Sequence, residues 1–180
     1  MTTIVALVGS LRSNLINRQL AEIAREAVAP DVAVEIHDGL AELPFYNEDV
    51  DTGDVPAAAV RLRTAVAAAD AVLLITPEYN GTIPAVLKNA IDWLSRPYGS
   101  GALVDKPIGV IGAALGRHGG KWSQDDTRRA VGIAGGRVVE EVELRLGPTD
   151  VATDPRRNAT VVDRVEAAVR ILLDQTPVRV

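Results

Sequence analysis

Short apolar runs alternate with segments of helical character along the whole chain, and this alternation restricts the fold more than any other feature. We predict strands over residues 3–8, 32–37, 70–76, 107–114 and 137–144. We predict helices over about 14–28, 55–69, 83–95, 123–134 and 158–174. Asp54 and Thr82 are the predicted caps of the second and third helices, with Pro56 and Pro84 in their first turns. Strands that alternate with helices form parallel sheets covered on both faces. The sequence therefore predicts an α/β fold, a three-layer sandwich around a five-stranded parallel sheet.

The turn after the first strand has the composition of an anion site. The apolar run stops at Gly9, and hydroxyl and amide side chains and Arg12 follow before the first helix begins near Asn14. A helix start offers unpaired N–H groups and a positive dipole end, and arginine pairs with two phosphate oxygens at once. The alternative is that Ser13 or Asn14 simply caps the helix while Arg12 is solvated.

Two sharper phosphate motifs are absent from the sequence. The dinucleotide fingerprint needs three spaced glycines after the strand, and only Gly9 is present. The P-loop pattern also fails, because Leu115 and Trp122 stand where a glycine and a hydroxyl residue are required around Lys121.

Three turns share an unusual composition, namely residues 9–17, 77–81 and 116–120. They follow the first, third and fourth strands. In the strand order 2-1-3-4-5 these strands are neighbours, and ligands of such sheets bind at the carboxyl ends of strands. We therefore expect the three turns to form one crevice.

Composition and charge exclude several classes of protein. The chain has 180 residues, a net charge of −5 and dispersed basic residues, so a single domain over 1–180 and no nucleic-acid partner are expected. There is no cysteine, and two histidines are too few for most transition-metal sites. The start of the chain lacks a leader and no apolar run is long enough for a membrane span, which predicts a cytoplasmic protein.

Two segments between the predicted elements have no assigned chemistry. His37 ends the second strand without a visible partner, so a structural role is favoured over a catalytic one. Residues 38–55 have no clear period and are predicted to be a long loop.

The middle turn, Pro77-Glu78-Tyr79-Asn80-Gly81, has two interpretations. Its residues are common in turns, and Tyr79 could pack against a helix. Alternatively, its N–H groups and the Asn80 amide bind a flat polar heterocycle that Tyr79 contacts.

With these turns the chain resembles the NADPH-dependent FMN reductase family, a flavodoxin-like group that includes quinone, azo-dye and chromate reductases. The resemblance covers most of the chain and rests on residues 9–12, 43–49, 76–84 and 87–93.

This resemblance implies which residues bind FMN. The phosphate would be held by Ser10, Arg12 and Asn17, together with the backbone around Leu15 and Ile16. The isoalloxazine ring would be lined by Pro77, Glu78, Tyr79, Asn80, Gly81 and Gly116. Leu15 departs from the family, which usually has serine or threonine there. The run after Gly116, which contains His118 and Trp122, also departs from it; these two could shape the acceptor pocket or pack on the surface.

The resemblance implies a reductase in which NADPH or NADH delivers hydride to FMN, which then reduces a quinone, a flavin or a similar small acceptor. The cofactor carries the chemistry, so no catalytic side chain and no metal are expected. The alternatives are a flavodoxin-type electron carrier and a flavin-free regulatory relative. A homodimer or homotetramer is the family expectation, for which Val86, Ile91 and Trp93 could form an interface or belong to the core.

Overall fold

A computed structural model describes residues 1–12 and 16–176 of the chain. Its centre is a five-stranded sheet in the order β2-β1-β3-β4-β5, and every neighbouring pair is parallel. The strands are β1 Thr2–Val8, β2 Val32–His37, β3 Ala71–Ile75, β4 Pro107–Ala113 and β5 Arg137–Leu146. The predicted sheet and its strand order are confirmed.

Helices cover both faces of this sheet. They are α1 Ile16–Glu26, the one-turn α2 Glu48–Asp51, α3 Ala57–Ala68, α4 Ala85–Leu94, α5 Lys121–Ile133 and α6 Ala159–Leu173. In β1, Ile4, Ala6 and Val8 pack with α1 and α6, while Val5 and Leu7 pack with α3 and α4. Side chains alternate between the faces of a strand, so the uninterrupted apolar runs fill two separate cores.

Two predicted helix caps are wrong. The sequence suggested Asp54 and Thr82 as caps, with Pro56 and Pro84 inside the first turns, but each proline itself occupies the residue before its helix. The Thr82 hydroxyl instead donates to Asp126 of α5 at 2.7 Å. α6 has a side-chain cap, because the Asn158 side chain accepts from the Val161 amide.

The segment between β2 and α3 contains two short helical turns, at Gly39–Glu42 and in α2, where a loop was predicted. It is fastened to α4. The Pro44 carbonyl accepts from the Trp93 indole at 2.8 Å and from the Asn89 side chain at 3.0 Å, and Asn89 accepts from the Tyr46 amide at 2.8 Å. Trp93 is fully buried and Ile91 is 2% exposed, so both belong to the core.

Candidate functional site

The turns after β1, β3 and β4 meet at the carboxyl edge of the sheet, as predicted. A Cβ on Gly9 would lie 3.1 Å from Leu87 of α4 and 3.3 Å from Pro77, so β1 must end in a glycine there. A Cβ on Gly112 of β4 would overlap the Thr76 carbonyl oxygen at the end of β3. These two glycines let the three turns approach one another at this edge of the sheet, which we call the crevice. The first turn also borders a cavity at the end of β2, and Tyr79 and Asn80 of the middle turn border a groove between α4 and α5.

The first turn presents a cation and a hydroxyl to this crevice. Ser10 is half-buried and its Oγ accepts from the Arg12 amide at 3.4 Å, while Arg12 is exposed. Within the described ranges Arg12 forms no salt bridge, so its charge is available to a ligand. Leu15, Ser13 and Asn14 lie outside the described residues, and Ile16 begins α1 directly after them.

Asn17 has a structural contact that sequence reasoning missed. Its side chain is 5% exposed; Nδ2 donates to the Ala113 carbonyl at 3.0 Å, and Oδ1 accepts from the Ala113 amide at 2.9 Å. This pair of hydrogen bonds ties α1 to the end of β4. Both Asn17 oxygen and nitrogen are therefore engaged by the chain, and a ligand at α1 would meet the backbone of Asn17 more readily than its amide.

The middle turn is a tight β-turn. Tyr79 and Thr82 exchange backbone hydrogen bonds of 3.3 and 3.2 Å across Asn80 and Gly81, whose φ values are +52° and +74°. Positive φ at both central residues is typical of a type I′ turn, for which Asn-Gly is the preferred pair. In the part of the chain that the structure describes, the amides of Glu78, Asn80 and Gly81 have no acceptor, so they can donate to a ligand.

Glu78 binds the helix α5. Its Oε2 accepts from the amides of Trp122 at 3.0 Å and Ser123 at 3.2 Å. The residue before α5 is Gly120, which has no side-chain oxygen to cap these orphan amides, and a carboxylate at a helix N-terminus is favoured by the dipole. Glu78 therefore caps α5 from a distant turn and fixes the middle turn in place.

A buried hydroxyl pair adds to this attachment. The Pro77 carbonyl oxygen lies 2.8 Å from the hydroxyl oxygens of both Thr76 and Ser123, and both residues are fully buried. The middle turn is thus joined to α5 by polar contacts on either side of Pro77, and its position is set by the core of the protein.

The turn after β4 is the open side of the crevice. Residues 115–118 are exposed, and a Cβ on Gly116 would meet nothing within 4 Å. The ring of His118 lies 5.1 Å from that of Trp122, and Trp122 in turn covers Gly81, where a Cβ would lie 3.3 Å from the indole. Gly116 thus has room for a ligand beside it. The middle turn and the turn after β4 are held together through Trp122.

The crevice combines donors, positive charge and apolar surface. Large apolar side chains exposed around it are Leu11, Tyr79, Leu115 and Trp122. Among the described residues no group of three or more histidine or carboxylate side chains could hold a metal ion, and no helix is long and apolar enough to cross a membrane. The arrangement can bind a flat, partly apolar ring at one end and an anion at the other.

His37 ends β2 and lines a cavity beside the first turn, together with Ser10, Leu11 and Arg12. Burial lowers the pKa of its imidazole, and Nε2 is buried without a hydrogen-bond partner in the described ranges. The structural role that the sequence favoured for His37 stays a prediction.

A parallel sheet with this strand order is the flavodoxin-like fold. The turn after β1 has the composition expected for binding a phosphate, and the turns after β3 and β4 have the composition expected for binding a flat ring. Together these features are typical of a flavodoxin-like protein that binds a mononucleotide. Comparison with known proteins narrows the class. The profile of NADPH-dependent FMN reductase matches residues 2–148, and the chain belongs to that family.

Named relatives agree with this assignment. A quinone reductase of Pseudomonas putida is 38% identical over 145 residues, which is 81% of this chain and 77% of the relative. A 2-hydroxy-1,4-benzoquinone reductase of a Burkholderia species is 39% identical over 125 residues, covering 69% of this chain and 67% of the relative. The chain is also similar in structure to the flavoenzyme NAD(P)H:(acceptor) oxidoreductase FerB of Paracoccus denitrificans, with a TM-score of 0.82, 29% identity and coverage of 98% and 100%.

These comparisons confirm the predicted family, the flavodoxin-like fold, the class of oxidoreductase, and FMN with NAD(P)H as cofactors. The alternatives of an electron carrier and a flavin-free relative are not favoured.

Proposed function

We propose that this chain is an FMN-dependent NAD(P)H:quinone oxidoreductase whose active site is the crevice of the three turns. The observation that carries the proposal is the meeting of an unpaired arginine, unpaired turn amides and exposed apolar side chains at one sheet edge in a member of this family. The names of the relatives support a quinone as the acceptor, and a flat ring that reaches an open crevice is the kind of acceptor that fits it.

In this proposal the first turn holds the FMN phosphate. Arg12 and the Ser10 hydroxyl contact phosphate oxygens, and the backbone of Leu15, Ile16 and Asn17 adds donors at the start of α1. Because the Asn17 side chain is engaged by Ala113, its contribution is the positioning of α1.

The middle turn and the turn after β4 hold the ring. The amides of Glu78, Asn80 and Gly81 donate to its polar edge, Tyr79 and Pro77 contact it through apolar surface, and Gly116 leaves space at the other edge. FMN held there would supply two-electron redox chemistry between NAD(P)H and the acceptor, with solvent providing the second proton of a hydroquinone product. The chain orients the ring and keeps one face of it accessible, and no side-chain acid or base is required.

An absorbance experiment tests the activity. The purified protein, reconstituted with FMN if colourless, is expected to show a flavin spectrum that NADPH bleaches without oxygen and that a quinone restores. A protein that binds no FMN under either condition contradicts the proposal.

A matched pair of variants tests the phosphate turn. Arg12→Ala is expected to weaken FMN binding about 10- to 100-fold, because a hydrogen bond to a charged group contributes about 1.5–3 kcal/mol. Arg25→Ala removes an exposed arginine of the same helix region that forms no salt bridge among the described residues, and is expected to leave FMN affinity unchanged. Equal affinity in Arg12→Ala and the wild type would remove Arg12 from the site.

We also propose that the chain acts in the cytoplasm, where reduced nicotinamide dinucleotides are maintained, and that it forms a homodimer or homotetramer. A groove of about 1280 Å³ runs between α4 and α5. Tyr98 and Ile133, which line this groove, are 88% and 78% exposed. Tyr79 and Asn80 of the middle turn line the same groove, so the proposed association would lie beside the ring end of the site. A second copy of the chain is the proposed occupant.

Sedimentation measures this association. Ile133→Glu in the groove is expected to shift the protein toward monomer, whereas Val60→Glu, on an exposed position of α3 outside the groove, is expected to keep the wild-type mass. A monomeric wild-type protein contradicts the proposal.

A further inference from the structure

Arg117 lies at the open rim of the crevice. It follows Gly116 directly, in the exposed segment 115–118 between β4 and α5. This segment is closed by hydrogen bonds from the Gly119 amide to the Gly116 carbonyl and from the Lys121 amide to the His118 carbonyl, 3.0 and 3.1 Å long. The backbone of Arg117 is therefore held inside a compact turn at the rim.

The neighbouring aromatic pair fixes this turn relative to the ring site. His118 packs against Trp122 with ring centroids 5.1 Å apart, and Trp122 covers the middle turn at Gly81. The segment that contains Arg117 is thereby held next to the middle turn, residues 77–81, which lines the proposed ring site.

The carboxylates near this rim are already engaged. Glu78 accepts from two amides of α5, Asp125 pairs with Lys121, and Asp126 pairs with Arg129. Across the ranges that the structure describes, Arg117 forms no salt bridge, and its polar contact is a 3.5 Å approach of Nη2 to His118 Nε2. Its charge is left to act on a ligand, although the chain as a whole carries a net charge of −5.

We infer that Arg117 is a specificity-determining residue that binds an oxyanion of the ligand visiting the flavin. Guanidinium groups bind phosphate and carboxylate-type oxygens in a planar, two-point manner. Arg12 serves the phosphate at the far end of the crevice, so Arg117 is free for a second anion at the near end. The inference rests on the proposed function, because it takes the segment beside Gly116 to border the flavin.

Two ligands of the proposed reaction carry such an oxyanion. One is NADPH, whose 2′-phosphate distinguishes it from NADH. The other is an acceptor with an ionised oxygen, such as a hydroxyquinone in its anionic form. Both ligands present anionic oxygen atoms to Arg117. Kinetic comparison of NADPH with NADH, and of a hydroxyquinone with a neutral quinone, distinguishes between them.

The test uses FMN-loaded wild-type protein, Arg117→Gln and Arg117→Lys. We measure kcat/KM for NADPH and for NADH with neutral 1,4-benzoquinone, and then for 2-hydroxy-1,4-benzoquinone with NADH. In Arg117→Gln we expect kcat/KM to fall about tenfold for one of the anionic ligands, equivalent to about 1.4 kcal/mol. For NADH with neutral 1,4-benzoquinone, kcat/KM should change less than about twofold.

The pattern of loss identifies the ligand. A fall for NADPH alone assigns the dinucleotide phosphate, and a fall for the hydroxyquinone alone assigns the acceptor. Arg117→Lys keeps the positive charge but loses the two-point geometry of the guanidinium group. Its kcat/KM for the anionic ligand should therefore lie between those of Arg117→Gln and the wild type. Arg25→Gln is the control for a general change in surface charge and should match the wild type.

Other outcomes overturn the inference. Equal kcat/KM values in Arg117→Gln and the wild type, an equal fall for charged and neutral ligands, or loss of FMN from the variant would each do so. If wild-type protein binds FMN and is bleached by NADPH, these results leave the proposed function standing. A wild-type protein that binds no FMN removes both.

Discussion

Substituting Asn17 by alanine separates its structural contact from the phosphate-binding role that the family resemblance implied. The substitution leaves the amide and the carbonyl of Ala113 without the partners that now lie 2.9 and 3.0 Å away. Each buried polar group left unpaired costs about 1–3 kcal/mol, so two such groups give a loss of about 2–6 kcal/mol in the free energy of unfolding. For a chain of this length, about 3 kcal/mol corresponds to a Tm lower by about 6–12 °C.

The measurement is made on protein freed of FMN, because bound ligand would stabilise the folded state by mass action. Urea unfolding followed by circular dichroism gives the free energy of unfolding, and FMN affinity is measured separately. Asn47→Ala is the matched control, since it removes an exposed cap that accepts one hydrogen bond, 2.9 Å from the Asp49 amide. It is expected to cost about 1 kcal/mol or less.

The reasoning is refuted if Asn17→Ala without FMN is as stable as the wild type while its FMN affinity falls about tenfold, a loss of about 1.4 kcal/mol in binding. That result would show that the amide is a phosphate ligand and that the contact with Ala113 contributes little.

Three further outcomes follow from the structure. Glu78→Gln should loosen the attachment of the middle turn and weaken FMN binding about threefold to tenfold, because a charged cap contributes about 1 kcal/mol; unchanged affinity in a fluorescence titration would contradict this. Gly112→Ala should prevent recovery of folded protein, because the added Cβ would overlap the Thr76 carbonyl oxygen at the end of β3. Gly53→Ala, which has open space around it, should fold as judged by circular dichroism. Burial lowers the pKa of His37, so below about pH 7.5 this imidazole binds more protons in the unfolded chain than in the folded protein, and stability should fall as the pH drops from about 7.5 to 5.5. His37→Gln should flatten this slope in urea unfolding, and His118→Gln, which changes an exposed ring, should retain it.

The parallel sheet could be predicted because its three central strands, β1, β3 and β4, are apolar runs that are buried on both faces over most of their length. Exposed residues interrupt the buried ones in the edge strands β2 and β5. The strand order was taken from the flavodoxin-like pattern, and the meeting of the three turns followed from that order.

Contacts between distant residues could not be read in the same way. The α5 start was predicted at residue 123 and lies at Lys121, because its amides are capped by Glu78 from another turn. The contact of Asn17 with Ala113 joins residues 96 positions apart, and an asparagine after a glycine-serine turn gives no local signal of it. The glycine at position 120, a helix start without a side-chain oxygen, was the one clue that a remote acceptor was needed.

The sequence also misplaced the beginnings of α3 and α4. Proline is common in the first turn of a helix, which led to caps two residues too early, but Pro56 and Pro84 precede their helices. Residues 38–55 gave no period because their two helical turns are single turns stabilised by α4 and by the Arg63–Asp51 salt bridge of 2.6 Å.

The attachment of α1 to β4 through Asn17 sets a length as well as a position. The β1 end is hydrogen-bonded to β3 through the Gly9 amide and Ile75 carbonyl at 2.8 Å, and α1 is fixed to β4 at Ala113. Both ends of the proposed FMN site are thus attached to neighbouring strands of one sheet. In that proposal the sheet would set the distance between the phosphate end and the ring end, and the site would favour a ligand whose phosphate and ring are separated by a ribityl chain.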